Sequence, residues 1–122
     1  VIIASGVVRR SDGGIVGEAA VEFIRRFKVD YAVIGASAID ADGSLMDYDY
    51  REVSVARTIM ENARNVILVA DSTKFERAAP VRIAHLSAVD VFVPDRLPDP
   101  AMRQLLEEAE VEVVETLAAS AT

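Results

Sequence analysis

An acidic segment in the middle of the chain carries the side chains best suited to bind a polar ligand. Residues 35–52 read GASAIDADGSLMDYDYRE and bring five carboxylates within thirteen positions, opposed by a single arginine. Carboxylate oxygens are good acceptors for sugar hydroxyls. Asp40 and Asp47 are the carboxylates of this segment that a role in helix capping explains least well. The segment therefore predicts a site for a hydroxyl-bearing ligand at Asp40 and Asp47.

For the other polar residues of this segment, a structural role and a role in the predicted site both stay open. Asp49 and Glu52 match a capping box, in which side chains satisfy backbone N–H groups at the start of a helix. Tyr48 and Tyr50 either border the predicted site, or one packs under the segment while the other is solvated. A calcium loop that began at Asp40 is excluded, because its sixth and twelfth positions hold leucine and arginine instead of glycine and glutamate.

A second cluster of polar side chains follows the apolar run that ends at Ala70. Asp71-Ser-Thr-Lys74 places a carboxylate, two hydroxyls and an ammonium within four residues. Lys74 is one of two lysines in the chain, and an ammonium at the end of a buried strand suits a phosphate or a carboxylate. The alternative is a salt bridge between Lys74 and a nearby aspartate.

Nucleophilic catalysis and metal binding find little support in the sequence. A Ser-His-Asp triad would have to include His85, the only histidine, yet no nucleophile-elbow motif occurs. The chain has no cysteine and no pair of residues with the spacing of zinc ligands. Gly13, Gly14 and Gly17 form neither a P-loop nor a dinucleotide fingerprint. We therefore expect no catalytic residue, no metal and no cofactor.

Apolar runs and turn residues predict the strands of the fold. A continuous apolar run at 31–35 is typical of a strand that is covered on both faces, and 65–70 is predicted to be another buried strand. Further strands are predicted at 1–8, 81–83, 89–93 and, as a solvated edge, 111–113. Residues 36–48 are predicted to form a loop that contains an Asp42-Gly43 turn.

Apolar residues at helical spacing predict three helices. The first begins at Val16 or Gly17 and runs to residue 28, and the second spans 50–63. The third starts at Asp99-Pro100, because aspartate caps free N–H groups and proline is favoured at the first helical position. Strands that alternate with helices predict an α/β fold with a mostly parallel sheet flanked by helices.

The predicted sheet brings the two polar clusters to one edge. Ligands bind beyond the carboxyl ends of the strands in an open parallel sheet, where helix N-termini also point. Three predicted loops lie there, at residues 9–14, 35–49 and 71–75. The acidic segment and Lys74 are thus expected on the same side of the molecule.

Composition limits the partners of this chain. It has 122 residues, 52% of them apolar, and a net charge of −7, so it contains one domain or part of one and repels DNA and acidic membranes. No apolar run reaches the length of a membrane span. The absence of cysteine agrees with a reducing, cytoplasmic location. Because the first residue is Val1 and not methionine, we expect a fragment or a processed chain.

Several motifs occur in a characteristic order along the chain. They are Ser5-Gly-Val-Val-Arg9, Gly14-Ile-Val-Gly17, Asp30-Tyr-Ala-Val-Ile-Gly-Ala-Ser37 with Ile39-Asp40, Gly43-x-Leu45-x-Asp47-x-Asp49, and Leu68-Val-Ala-Asp-Ser-Thr-Lys-Phe75. In this order the chain resembles the C-terminal sensor domain of DeoR-family bacterial transcriptional regulators. The motifs GAS-x-ID and ADS-[ST]-KF are the most specific part of the resemblance, which covers most of the chain.

The resemblance implies a function and a set of site residues. Such sensors belong to repressors of sugar or polyol catabolic operons, and they bind a phosphorylated sugar or polyol without turnover. The repressors contact operator DNA only through an N-terminal winged helix-turn-helix, which is absent from this chain. They share the fold of ribose-5-phosphate isomerase and are expected to form homo-oligomers. The positions that match ligand-facing ones are Ser37, Asp40, Asp47 and Lys74, with Asp49 and Glu52 beside them.

The resemblance also implies that the chain is part of a sensor. In the family, a helix and a strand leading to an Asp-x-Gly-Thr-Thr phosphate loop come before the region that matches Val1. Residues 1–116 are therefore expected to be a partial sensor domain, and residues 117–122 a frayed tail. The effector, the operon and the oligomeric state are not specified by the sequence.

Two rival functions follow from the same fold. Ribose phosphate isomerases carry Gly-Ala-Asp-Glu-x-Asp where this chain has Gly35-Ala-Ser-Ala-Ile-Asp40, and they carry a lysine before a glycine run where this chain reads Leu45-Met-Asp-Tyr-Asp-Tyr50. Proton abstraction next to a carbonyl needs a positioned base and an electrophile, and only part of that set is present. A fragment of a sugar-phosphate isomerase-like enzyme is the first alternative, and a ligand-free oligomerisation domain is the second.

Overall fold

Strands alternate with helices in the computed structural model, which describes residues 7–8, 15–16 and 18–116. The strands are Val7–Val8 (β1), Ile15–Val16 (β2), Val29–Ile34 (β3), Ala38–Ile39 (β4), Ser44–Asp47 (β5), Ala63–Val69 (β6), Val81–His85 (β7), Val91–Val93 (β8) and Glu112–Val113 (β9). The helices are Glu18–Ile24 (α1), Tyr50–Glu61 (α2) and Pro100–Glu108 (α3), with short 3₁₀ helices at Ser72–Glu76 and Leu86–Ala88. This order confirms the predicted α/β class.

A four-stranded parallel sheet forms the centre of the structure, with its strands in the order β3-β6-β8-β9. Val33 lies opposite Ile67, which lies opposite Val91 on the next strand. The chain passes through α2 between β3 and β6, and through α3 between β8 and β9. The predicted strands at 65–70, 89–93 and 111–113 therefore occur with shifted ends, and all of them belong to this sheet.

The predicted loop at 36–48 is wrong, because this segment forms a β-hairpin. Strands β4 and β5 pair antiparallel, and β5 pairs with β7 to complete a three-stranded sheet. The predicted Asp42-Gly43 turn is confirmed as the connection, since Gly43 has a φ of 92° and Ser44 donates its N–H to Asp42 Oδ1 at 2.9 Å. A two-residue strand such as β4 is too short to show alternation in the sequence.

His85 holds the hairpin turn against β7. Its Nε2 lies 2.7 Å from the carbonyl oxygen of Asp42, and its Nδ1 accepts the N–H of Ser87 at 3.0 Å. A Cβ added at Gly43 would come within 2.6 Å of Nε2, so a side chain there would displace the imidazole. Both ring nitrogens are thus engaged in structural contacts.

The first helix is shorter than predicted. Val16 ends β2 instead of starting a helix, Gly17 lies outside the described residues, and α1 ends at Ile24. The last turn tightens, because Phe27 donates its N–H to the residue three positions back. The chain then enters β3, where Val29 donates its N–H to Asn62. Strand pairing, which the helical pattern does not reveal, stops the helix.

Aspartate caps begin the other two helices, as predicted. Asp49 accepts the N–H of Arg51 at 2.8 Å at the start of α2. Asp99 accepts the N–H of Met102 at 2.8 Å at the start of α3, with Pro100 in the first turn. The predicted end of the second helix at residue 63 is two residues too late, because Ala63 already pairs with Val29 in the parallel sheet.

The hydrophobic core lies on one face of the parallel sheet. Apolar side chains of the four-stranded and three-stranded sheets and of two helices meet there in a single cluster, which includes Ile34, Ile39, Leu45, Val53, Leu68, Ile83, Phe92, Met102 and Leu106. α1 packs outside this cluster, against α2, through Ile24 and Val55. Both sheets are therefore held to one interior.

The opposite face of the parallel sheet is exposed, so the prediction that β3 is covered on both faces is wrong. Tyr31 is 67% exposed, Val33 66%, Val69 50% and Val114 47%. α2 and α3 direct their buried side chains to the core on the other face. We call the apolar surface made by Tyr31, Val33, Ile67, Val69, Val91, Val93 and Val114 the open face.

Some sequence predictions cannot be compared with the structure. The strand at 1–8 is described only as β1, which pairs antiparallel with β2. Residues 1–6, the turn at 9–14 and the tail at 117–122 lie outside the described residues. Within the part of the chain that is described, no helix is long and apolar enough to cross a membrane.

Candidate functional site

Ser37 and Asp47 form the centre of the candidate site. Ser37 follows β3 at the carboxyl edge of the parallel sheet, and its backbone N–H donates to Met46 in the hairpin. Its hydroxyl donates to Asp47 Oδ1 at 2.9 Å, and the N–H of Tyr48 donates to the same oxygen at 2.7 Å. Both side chains are half-buried. The carboxylate is therefore held in one orientation while part of it still faces solvent.

Lys74 belongs to a 3₁₀ helix at the same edge of the sheet. The 3₁₀ helix Ser72–Glu76 follows β6 and packs against β4, the strand that starts directly after Ser37. The side chain of Lys74 is 23% exposed, and its Nζ lies 3.9 Å from Asp71 Oδ2. This long ion pair with an exposed carboxylate contributes little. The ammonium remains available for a stronger anionic partner.

Asp40 lies apart from these residues. It flanks the hairpin turn, where its N–H donates to Ser44 and its carbonyl accepts the N–H of Gly43, each at 2.9 Å. Three residues of extended chain, about 10 Å, separate it from Ser37. The spacing in the sequence suggests one acidic cluster, but the hairpin places Asp40 at one end and Asp47 at the other.

Asp49 and Glu52 occupy the start of α2, two to five residues beyond Asp47. Asp49 caps the helix, and its Oδ1 lies 3.7 Å from Nε of Arg51. Glu52 is half-buried in the first turn. Tyr48 and Tyr50 are both exposed, so neither packs under the segment. Asp49 and Glu52 therefore follow Asp47 closely along the chain, in the cap and first turn of α2.

Sequence reasoning missed Asp95, which fixes the loop that carries Lys74. Asp95 follows β8, and its Oδ1 accepts the N–H groups of Ser72 at 2.7 Å and of Arg96 at 2.8 Å. Its Oδ2 accepts the hydroxyl of Ser72 at 3.1 Å. The carboxyl ends of β6 and β8 are thereby tied together. An aspartate two residues after the end of a predicted parallel strand is the signal that would have identified it.

The hydroxyls of the Asp71-Ser-Thr-Lys74 cluster are already engaged by protein groups. Ser72 donates to Asp95, and Thr73 donates both its hydroxyl and its N–H to Asp71 Oδ1. Because the hydroxyls of Ser72 and Thr73 are engaged, the group of this cluster that can bind a ligand is the Lys74 ammonium. An open cleft of about 470 Å³ is lined by residues of the 3₁₀ helix and of the segment after β8: Ser72, Thr73, Phe75, Glu76, Arg96, Leu97 and Pro98.

Three aspartates in turns near the sheet have pKa values below the ordinary value of 3.8. The N–H of Ser44 lowers the pKa of Asp42, and the hydroxyl and N–H of Thr73 lower that of Asp71. Partial burial acts to raise the pKa of Asp95, but the N–H of Arg96 and both donors of Ser72 outweigh it. All three carboxylates are charged at neutral pH.

Acid is expected to loosen the loop that carries Lys74. A carboxylate whose pKa is lowered by folding adds stability above 3.8, and that stability is lost as the pH falls through the folded pKa. We expect Asp95→Asn to lower the Tm at pH 7 and to flatten the fall in Tm below pH 3.8, because the charged acceptor of the Ser72 donors is gone. Thermal melts monitored by circular dichroism across this pH range measure both effects.

The matched control for this prediction is Glu107→Gln, which removes an exposed carboxylate on α3. It should keep the Tm and the acid dependence of the unmodified protein. If Asp95→Asn behaves like the control, Asp95 does not stabilise the strand ends.

The candidate site has donors and acceptors that suit an anionic, hydroxylated ligand. Lys74 supplies a positive charge, and Ser37 and Asp47 supply a polar pair at the same edge of the sheet. No group of three histidine, aspartate or glutamate residues within the described part of the chain is arranged to hold a metal.

Comparison with known proteins identifies the family. The family model for the DeoR C-terminal sensor domain matches residues 1–96. The chain belongs to this family. It is a sensor domain, and its curated relatives include several transcriptional repressors, so the isomerase-like alternative is not supported.

Three relatives of the sensor domain illustrate the similarity. The glycerol-3-phosphate regulon repressor of Haemophilus influenzae is 49% identical over 107 residues, which are 88% of this chain and 42% of the relative. The repressor of the same name from Escherichia coli is 42% identical over 113 residues, 93% of this chain and 45% of the relative. The E. coli HTH-type transcriptional repressor CsqR is 37% identical over 114 residues, which are 93% of this chain and 44% of the relative. The chain thus spans less than half the length of these curated relatives.

Proposed function

We propose that this sensor domain binds a phosphorylated sugar or polyol, without turnover, and thereby controls the DNA binding of a repressor of sugar or polyol catabolism. The observation that carries the proposal is that the 3₁₀ helix containing Lys74 packs against β4, directly after Ser37 of the Ser37–Asp47 pair. The family match and the glycerol-3-phosphate regulon repressors among its relatives support the same effector class.

Each site residue has a role in this proposal. Lys74 binds the phosphate as a point charge, exchanging its long contact with Asp71 for a closer anion. Ser37 and Asp47 bind ligand hydroxyls, and their mutual hydrogen bond orients them before the ligand arrives. Asp49 and Glu52 border the site, whereas Asp40 contributes from the far end of the hairpin only if the ligand extends that far.

DNA binding is assigned to another part of the regulator. The net charge of −7 opposes contact between this domain and a phosphate backbone. In this proposal residues 1–116 form part of the sensor, and a winged helix-turn-helix upstream of residue 1 reads the operator. The regulator acts in the cytoplasm as a homo-oligomer.

Titration of the full-length regulator with candidate effectors tests the proposal. The regulator is bound to a fluorescent DNA fragment from the promoter it occupies, and anisotropy is followed as glycerol-3-phosphate, other sugar phosphates or their unphosphorylated forms are added. We expect at least one phosphorylated compound to change DNA affinity and to raise the Tm of the regulator. The unphosphorylated forms should have little effect.

Two results would contradict the proposal. Conversion of a sugar phosphate into a product would make the protein an enzyme. If no phosphorylated sugar or polyol changes either DNA affinity or the Tm, the domain is not a sensor of this effector class, and a ligand-free role in oligomerisation gains support.

A further inference from the structure

The cleft between the 3₁₀ helix Ser72–Glu76 and the segment after β8 is a separate feature of the carboxyl edge of the sheet. Neither Lys74 nor the Ser37–Asp47 pair is among its lining residues. Its volume of about 470 Å³ lies within the range of about 300–1,000 Å³ that is usual for small-molecule sites. The cleft is therefore large enough for a small metabolite that does not use the candidate site.

Hydrogen bonds hold both walls of the cleft in place. On one wall, Asp95 accepts the backbone N–H of Arg96 at 2.8 Å, and Glu115 accepts the backbone N–H of Leu97 at 3.3 Å. On the other wall, Ser72 donates its N–H and its hydroxyl to the same Asp95 carboxylate. Because one carboxylate joins the two walls, the cleft is formed before a ligand arrives, as most small-molecule sites are.

The cleft carries one cation and one anion. Arg96 is exposed, and its side chain forms no ion pair with any residue that the structure describes. Glu76 on the other wall is exposed as well. A guanidinium presents a planar fork of donors that matches a carboxylate or a phosphate, and a carboxylate accepts hydrogen bonds from hydroxyl groups. Together they suit a ligand that has both an anionic group and hydroxyls.

Apolar side chains complete the lining of the cleft. Phe75, Leu97 and Pro98 contribute to it, and the ring of Phe75 is paired with that of the buried Phe92. Sites for small metabolites typically combine such apolar contacts with a few polar groups that orient the ligand. The cleft therefore offers contacts to a carbon skeleton as well as to its polar substituents.

We infer that this cleft is a second binding site, separate from the site at Lys74, for a small hydroxylated organic anion. Arg96 binds the carboxylate or phosphate of this ligand, Glu76 accepts a hydrogen bond from one of its hydroxyls, and Phe75 contacts its carbon skeleton. The inference goes beyond the proposed function, which concerns an effector bound by Lys74.

Two probes with the same three-carbon skeleton, glycerate and glycerol-3-phosphate, test the inference and distinguish a carboxylate ligand from a phosphate ligand. Binding to the full-length regulator is measured by saturation-transfer difference NMR in a Lys74→Ala background, which removes the charge of the proposed effector site. We expect at least one probe to bind, and Arg96→Gln to weaken its affinity about 10- to 100-fold, the effect of losing a charge-assisted hydrogen bond. Arg57→Gln on the exposed side of α2 is the matched control and should leave the affinity unchanged.

Two results would overturn the inference. If neither probe binds the Lys74→Ala protein at millimolar concentration, the cleft is not a site for this class of ligand. If a probe binds equally well with and without Arg96→Gln, it occupies another part of the molecule. Glu76→Gln, which should also weaken binding, probes the other wall if Arg96→Gln does not fold. The proposed function is tested separately, by the DNA response of the unmodified regulator, so either conclusion can fail without the other.

Discussion

Replacing Lys74 with alanine in the full-length regulator is expected to raise the effector concentration needed for half-maximal DNA release by about 10- to 100-fold. A charge-assisted hydrogen bond to a phosphate typically contributes a difference of this size. The fold should be unaffected, because the ion pair of Lys74 with Asp71 is long, at 3.9 Å, and its carboxylate is 53% exposed. Anisotropy titrations of the promoter complex measure the first effect, and the Tm without effector measures the second.

Lys28→Ala is the matched control for Lys74→Ala. Lys28 is the other lysine of the chain, is exposed, and contacts only the carbonyl oxygen of Glu61 at 3.4 Å among the described residues. It should leave the response to effector unchanged. An equal response of Lys74→Ala and the unmodified protein would remove Lys74 from the site. Loss of folding in Lys74→Ala would show that its ion pair is structural.

Replacing Phe92 with alanine is expected to lower the free energy of unfolding by about 3–5 kcal/mol, the range for deletion of a buried aromatic ring. Phe92 is fully buried at the centre of β8. Its ring and that of Phe75 form an edge-to-face pair with a centroid distance of 6.1 Å. Because Phe75 lies next to Lys74, loss of this contact should also weaken the response to effector. Urea denaturation monitored by far-ultraviolet circular dichroism measures the stability.

Phe92→Leu separates packing from the aromatic contact. Leucine fills most of the volume and should cost no more than about 1.5 kcal/mol. If Phe92→Ala loses less than about 1 kcal/mol, the ring is not central to the core as the structure indicates. If Phe92→Ala is destabilised but responds normally to effector, the Phe75 contact does not position Lys74.

Local sequence signals predicted those structural features that depend only on residues close together in the chain. Asp49 and Asp99 cap the helices they were expected to cap, because a carboxylate beside free N–H groups needs no distant partner. The Asp42-Gly43 turn was predictable for the same reason. The end of α1 was not predictable, because it is set by the hydrogen bond between Val29 and Asn62. These two residues are far apart in the chain.

The location of the candidate site could be predicted from the sequence, but the residues that form it could be predicted only in part. Loops at the carboxyl ends of parallel strands share one edge whatever their sequence, so Ser37 and Lys74 could be placed there in advance. Hairpin register, which depends on pairing partners, separates Asp40 from Asp47 and joins Ser37 to Asp47. Asp95 entered the site because β8 lies beside β6, a neighbour relation that spacing along the chain does not reveal.

By itself the sequence determined the α/β class, the family motifs, the acidic charge and the polar residues from which a site can be built. These features follow from residue type and local period, which are properties of short segments. Only the tertiary structure decided which carboxylates come together, that Asp95 holds the Ser72–Glu76 loop, and that one face of the sheet is exposed. Those outcomes depend on long-range pairing and on which face the helices α2 and α3 cover. The continuous apolar run of β3 is typical of a strand that is buried on both faces, yet its Tyr31 and Val33 side chains are exposed.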